Sequence, residues 1–255
     1  MRPRRLIPDF RERVWGSTHL SPWFPDSDRK IGEVWFDAGL SLLIKFIFTS
    51  EKLSVQVHPD DEYARAEHGS RGKTEMWYIL AAEPGAKIAA GFRQPLDAER
   101  LRAAARSGEV EEMLQWFEAR PGDTFFIPAG TVHAIGAGLV LCEIQQNSDV
   151  TYRLYDYGRA RELHLDRAMA VSKRVPHAAR TGSGDLLAEC DHFASRRICG
   201  PKHDFTSGAG FLIAITGAGE VDGNPTKAGD VWVIPDGNSS FDIAGNVTLL
   251  HALIR

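Results

Sequence analysis

Short apolar or alternating runs, separated by turn residues, dominate this chain. LSLLIKFIF, LSVQVHP, TEMWYILAA, AKIAAGF, DTFFIPAG, HAIGAGLVLCEIQQ and TYRLYDY follow one another between Gly, Pro and Asp. After residue 185 the pattern resumes with CDHFASRRIC, GFLIAITGAGEV, GDVWVIPDG and VTLLHALI. Runs of this length predict strands, and many short strands at close spacing predict a β-sandwich or barrel rather than alternating strand–helix units. Two stretches predict helix. Leu96 to Ala119 is rich in Ala, Leu, Glu and Arg, with apolar residues at three- and four-residue spacing and a break near Ser107–Gly108. Leu165 to Val171 is a shorter one, with Asp166 as its candidate cap.

One strand–turn unit occurs twice. GDTFFIPAGTVHAIGAG (Gly122 to Gly138) and GDVWVIPDGNSSFDIAG (Gly229 to Gly245) share seven of seventeen positions at a constant offset of 107. The shared residues are the Gly-Asp start, the Ile-Pro-x-Gly turn and the closing Ala-Gly. The first copy carries His133 where the second carries Ser240. A polar stretch with Pro and Gly, Lys173 to Gly184, falls between the copies and reads as a linker. The expected organisation is a first β-unit at residues 1–172, a linker at 173–185, and a second unit at 186–255 that lacks a metal-binding side chain at the repeated position.

Composition narrows the function classes. The 255 residues are 43% hydrophobic and 25% charged, with a net charge of −4, so there is no electrostatic case for nucleic acid or anionic lipid as a partner. The basic start, MRPRRLIPDF, has no apolar segment behind it that would make a signal peptide. The longest apolar run, Leu40 to Phe48, is too short to span a bilayer and contains Lys45. Cys142, Cys190 and Cys199 show no CxxC spacing and read as reduced thiols of a cytoplasmic protein.

Candidate chemistry follows from strand alternation. In LSVQVHP, Val55 and Val57 share one face while Ser54, Gln56 and His58 share the other. KTEMWYIL places Lys73, Glu75 and Trp77 on one face, and His133 arrives just after the Pro-Ala-Gly turn. Gln56, His58, Glu75 and His133 then make a cluster of one amide oxygen, one carboxylate and two imidazoles. That set suits zinc with an open position, and iron, manganese or cobalt could occupy a similar one.

The spacing G-x5-P-x-G-x2-H, from Gly122 to His133, resembles the second cupin motif. Gln56-Val-His58 stands where the first motif has its HxH pair, and Glu75 follows only after the insertion PDDEYARAEHGSRGKT. LSVQVHPDDEYA, GKTEMWYIL, PAGTVHAI and EIQQNSDVTYRLYDYGR together resemble the type I phosphomannose isomerases in their short bacterial form. WGS, IGEVWF and LLIKFI extend the likeness upstream and RELHLDRA downstream, so that it covers about residues 15 to 170. The resemblance implies a mainly β protein with two cupin-type barrels and a few helices, the second barrel degenerate. It implies one Zn2+ per chain on Gln56, His58, Glu75 and His133, and a catalytic arginine at Arg153. Lys73 and Glu143 would lie in the substrate cavity as the candidate proton shuttle. The implied activity is a zinc-dependent interconversion of D-mannose 6-phosphate and D-fructose 6-phosphate through a cis-enediol(ate). Isomerisation of a related sugar phosphate, or sugar binding without turnover, are the alternatives. Two departures stand out: the chain lacks the large helical insertion of longer members, and the stretch between IGEVWF and LLIKFI is shorter than usual.

Overall fold

A computed structural model describes residues 2–181, 184–235 and 239–255. It is mainly β, of the cupin type, with three antiparallel sheets and four short helices. In the first half a seven-stranded sheet faces a five-stranded one. Neighbour by neighbour, the seven-stranded sheet runs Arg180–Thr181, Thr124–Ile127, Glu75–Ala82, Leu139–Gln146, Leu42–Thr49, Ile31–Asp37 and Asp9–Ser17. The five-stranded sheet runs Tyr152–Tyr155, Val55–Val57, His133–Ile135, Lys87–Phe92 and Leu114–Glu118. The third, eight-stranded sheet holds the strands after residue 185 together with Arg4–Arg5, which pairs with Val233 and Trp232.

Alternation explains what each sheet covers. Leu42, Ile44, Phe46 and Phe48 point outward from the seven-stranded sheet, into a core they share with Phe193, Phe211, Ile213, Val231 and Leu250 of the second half. Leu43, Lys45 and Ile47 point the other way, between the two sheets of the first half. The strand is therefore buried on both faces, and this is why LLIKFIF has no polar alternation. Trp23 fastens the same junction, its buried indole N–H donating to the carbonyl of Ile215 at 2.9 Å. On the far side of the five-stranded sheet, Val55, Val57, Val132 and Ala134 pack against helices α2 (Ala98–Ser107) and α4 (Leu165–Val171).

Two helix expectations need correction. Leu96 to Ala119 breaks where expected, α2 ending at Ser107 with Gly108 at φ 89° as its cap, but the second part is not a full helix. A single turn, α3 (Val110–Met113), follows, and Leu114–Glu118 is an edge strand paired with Lys87–Phe92. The helical spacing there comes from Val110, Met113, Leu114 and Phe117, three and four residues apart, but from Leu114 onward the chain pairs as a strand instead. Helix α4 has the expected bounds, but His164 occupies its cap position and makes no side-chain cap bond. Asp166 instead pairs with Arg102. One helix, α1 (Asp61–His68), lies within the insertion between the two cupin-motif halves. It is capped by Asp60, whose carboxylate accepts from Tyr63 N–H, and by Gly69 at φ 60°.

The repeated unit is equivalent in its bonding as well as its letters. Gly122 and Gly229 take φ 91° and 95°, and the Asp123 and Asp230 side chains accept at 2.9 Å from the backbone N–H of Arg120 and Lys227, respectively. Residues 236–238 of the second copy's turn lie outside the described residues. Of the stretch expected as a linker, 182–183 also lie outside. Residues 173–181 are tied to the first half, where Lys173 bridges Thr131, Leu96 N–H donates to Arg174 O, and Phe126 N–H donates to Ala179 O, whereas Asp185 O accepts from Arg197 N–H of the second half. Among the described residues no helix is long and apolar enough to cross a membrane.

Candidate active site

The register of the five-stranded sheet builds one wall. His133 stands directly opposite Gln56, and Gln56 stands opposite Arg153, so three side chains from three adjacent strands share the inner face. The seven-stranded sheet builds the facing wall. There Trp77, Glu143, Lys45 and Trp35 form one row across four strands, and Glu75 lies one row away, opposite Gln145. His58 follows the strand Val55–Val57. Its carbonyl accepts from Gly130 N–H at 2.8 Å, which locks the Pro128–Gly130 turn to the element bearing the other histidine. Gly130 takes φ 85°, and a Cβ there would lie 2.9 Å from Val171 O, so this turn demands glycine. The insertion closes on itself, with Lys73 N–H donating to Pro59 O, and so Lys73 returns beside His58 although the two are fifteen positions apart in sequence.

His58, Glu75 and His133 converge, with ligand atoms all within 4.8 Å of one another, and each is buried. Backbone carbonyls fix both imidazoles. His58 Nδ1–H donates to Val150 O at 3.0 Å and His133 Nδ1–H to Thr131 O at 2.8 Å. That tautomer leaves both Nε2 lone pairs facing the Glu75 carboxylate, at 3.5 Å in each case. His133 Nε2 and Glu75 Oε1 are buried without a hydrogen-bond partner. Two acceptors facing each other without a proton between them are repulsive unless a cation joins them, so this donor set fits a metal ion. Here the Lys73 ammonium supplies the positive charge, bonded to Glu75 Oε2 and 3.0 Å from His58 Nε2.

The charges around this cluster shift one another. Burial holds both histidines neutral, His58 well below its ordinary value and His133 at about 4, and the Lys73 charge adds to the effect on each. Desolvation would lower the pKa of Lys73, but Glu143 and Glu75 outweigh it and hold the ammonium charged. Burial and then Glu143 push Glu75 upward. Desolvation acts the same way on Glu143, yet Lys73 and Lys45 outweigh it and keep that carboxylate ionised. Trp77 Nε1–H donates to Glu143 Oε2 at 2.9 Å, and Lys45 Nζ lies 3.2 Å from Glu143 Oε1.

A cavity of about 300 Å³ opens over Gln56, Lys73 and Glu143. All seven expected site residues therefore lie in one place: His58, Glu75 and His133 as a triad, Gln56 and Arg153 beside them in register, Lys73 and Glu143 on the opposite wall. The sequence reading missed Lys45, Glu33, Trp35, Arg11, Arg13 and Arg161, which line the same cavity. Lys45 could have been found, because it is the one charge in an otherwise apolar run buried on both faces. In the second half, Ser240 is exposed and pairs with Thr206.

No protein-family model matches the chain. It is 33% identical to the mannose-6-phosphate isomerase ManA of Bacillus subtilis (strain 168), across 95% of this chain and 96% of that protein. With the mannose-6-phosphate isomerase of Streptococcus mutans it shares 42% identity across 51% of this chain and 43% of that one. Among solved structures, the mannose 6-phosphate isomerase from Bacillus subtilis superposes with a TM-score of 0.86 at 28% identity, covering 100% of both chains.

Proposed function

Because the chain belongs to the mannose-6-phosphate isomerase family, we propose that it interconverts D-mannose 6-phosphate and D-fructose 6-phosphate with one zinc ion per chain. The observation that carries the metal is the buried 3.5 Å contact between His133 Nε2 and Glu75 Oε1, two atoms that have no hydrogen-bond partner. Gln56, His58, Glu75 and His133 would hold the ion: two imidazoles, one carboxylate and one amide oxygen, a set that suits zinc. When bound, zinc supplies a Lewis acid that polarises the substrate's O1/O2 region.

The chain's own residues do the rest. A proton must leave C2 and arrive at C1 on the same face, and the negative charge that develops on oxygen in between must be balanced. Arg153 is suited to that balance. It is permanently charged, its Nη1–H is anchored to Glu162 O at 2.6 Å, and its Nε is buried without a partner. Lys73 and Glu143, 3.8 Å apart on the other wall, form the couple that moves the proton, with Lys45 and Trp77 fixing Glu143 in place. Residues 1–172 supply every one of these groups. Residues 186–255 act as a metal-free cover, joined through residues 173–185.

Arg153→Ala tests the reading. Turnover of mannose 6-phosphate collapses, by about 10²-fold or more for loss of one charge-stabilising donor, while zinc content stays at one per chain. Turnover at the wild-type rate would refute the role given to Arg153.

A further inference from the structure

The cavity's charge is unevenly matched, and the mismatch points to where a substrate's phosphate is received. Its lining includes Arg11, Arg13, Lys45, Lys73, Arg153 and Arg161 against the acids Glu33, Glu143 and Asp149. Most of these cations are committed. Lys45 and Lys73 are buried on Glu143 and Glu75, and Arg13 is held by Glu33. Arg153 belongs to the floor, opposite Gln56.

Arg161 and Arg11 differ from these. The Arg161 side chain is 32% exposed, at the rim. Its Nε and Nη2 each donate at 2.6 Å to the two oxygens of Asp156, a carboxylate that is itself only 1% exposed. That bidentate clamp fixes the guanidinium plane by its side edge and leaves the Nη1/Nη2 end edge unused. Asp156 also pairs with Arg159, which donates as well to the carbonyls of Asp156 and Lys52, so one carboxylate serves two guanidinium groups. Arg161 is close enough to Arg153 to help press the latter's pKa down, second to burial. On the other wall, Arg11 stacks over the Trp35 ring at 3.6 Å, and its side edge is met by the exposed Asp9. Its end edge is left unused as well.

We infer that Arg161, oriented by Asp156 and faced by Arg11 on Trp35, receives the C6 phosphate of the sugar. The inference rests on the isomerase reading, which seats C1 and C2 at the floor near the metal ligands. The phosphate, at the far end of the carbon chain, then reaches the rim. Planar end-on forks suit a phosphate dianion better than the point charges of Lys45 and Lys73 below. Arg161 is the contacting residue and Asp156 a positioning residue.

The test compares two polyols that cannot turn over, D-glucitol 6-phosphate and D-glucitol, titrated into the zinc-loaded protein. In Arg161→Met the ratio of the two affinities falls by about 10- to 100-fold, the worth of charge-assisted hydrogen bonds. Arg161→Lys, which keeps the charge and loses the fork, falls between that variant and the wild type. Asp156→Asn lowers the same ratio, and combining it with Arg161→Met lowers it no further, because Asp156 reaches the phosphate through Arg161, whereas Arg159 does not line the cavity. Should Asp156→Asn fail to fold, the two Arg161 variants decide the matter. A ratio within twofold of wild type in Arg161→Met overturns the assignment. Wild-type protein that binds glucitol 6-phosphate but does not isomerise mannose 6-phosphate would strike the functional reading and leave the phosphate site standing.

Discussion

At the scale of single residues, the burial of neutral imidazoles governs both metal binding and acid stability. His133 presents an unprotonated Nε2 because Thr131 O holds its Nδ1–H and because burial keeps its pKa at about 4. His133→Ala removes that lone pair and should bring zinc content well below one per chain, read by metal analysis after dialysis. Full metal content would refute its ligand role. His251, in the second half, is a cleaner reporter because no candidate metal ligand touches it. Its Nε2 lies 2.8 Å from Ser207 Oγ, and burial, aided by Arg196, lowers its pKa from 6.5 to about 4. Between those two values the unfolded chain binds the proton and the folded chain does not. Stability is therefore complete above pH 6.5 and declines as pH falls toward 4, by up to about 3 kcal/mol from this group. Denaturant titrations at pH 7 and pH 4.5 should show a smaller difference for His251→Gln than for wild type; an equal difference would contradict the assignment.

At the scale of elements, the two-residue period decided what could be read from the sequence. It placed Gln56 and His58 opposite Val55 and Val57, and Lys73, Glu75 and Trp77 together, as the structure does. It could not show that Leu114–Glu118 is a strand, since the same apolar spacing satisfies a helix. Nor could it show that α1 folds the insertion back and delivers Lys73 to His58, because that depends on a long-range closure onto Pro59. Lys45 and Arg161 were legible only as charges; their place in the cavity comes from cross-strand register and from the Asp156 clamp. The Pro128–Gly130 turn is the element most sensitive to change. Gly130→Ala forces a side chain onto a positive φ and against Val171 O, at a cost of about 1–3 kcal/mol. Because Gly130 N–H holds His58 O, zinc content should fall together with the melting temperature. A destabilised variant with undiminished metal would show that the turn and the site are independent.

At the scale of the whole molecule, the two halves share one core. Leu6, Phe24, Phe46 and Met76 pack with Phe193, Phe211 and Leu250, while the strand Arg4–Arg5 is paired into the second half's sheet. The sheet that carries Glu75, Lys45 and Glu143 is thus backed by side chains contributed after residue 185. Phe211→Ala should cost about 3–5 kcal/mol and lower one common melting transition, measured by calorimetry. Two separated transitions would contradict the shared core. The repeat seen in the sequence takes its meaning at this scale: both copies keep the Gly-Asp turn, and only the first aims an imidazole between two sheets. The most direct test of the account is a coupled assay on mannose 6-phosphate with the purified protein, before and after chelation. Activity that disappears with the chelator and returns on adding zinc is the predicted result. Turnover that survives complete removal of metal, or no turnover with zinc restored, would contradict it.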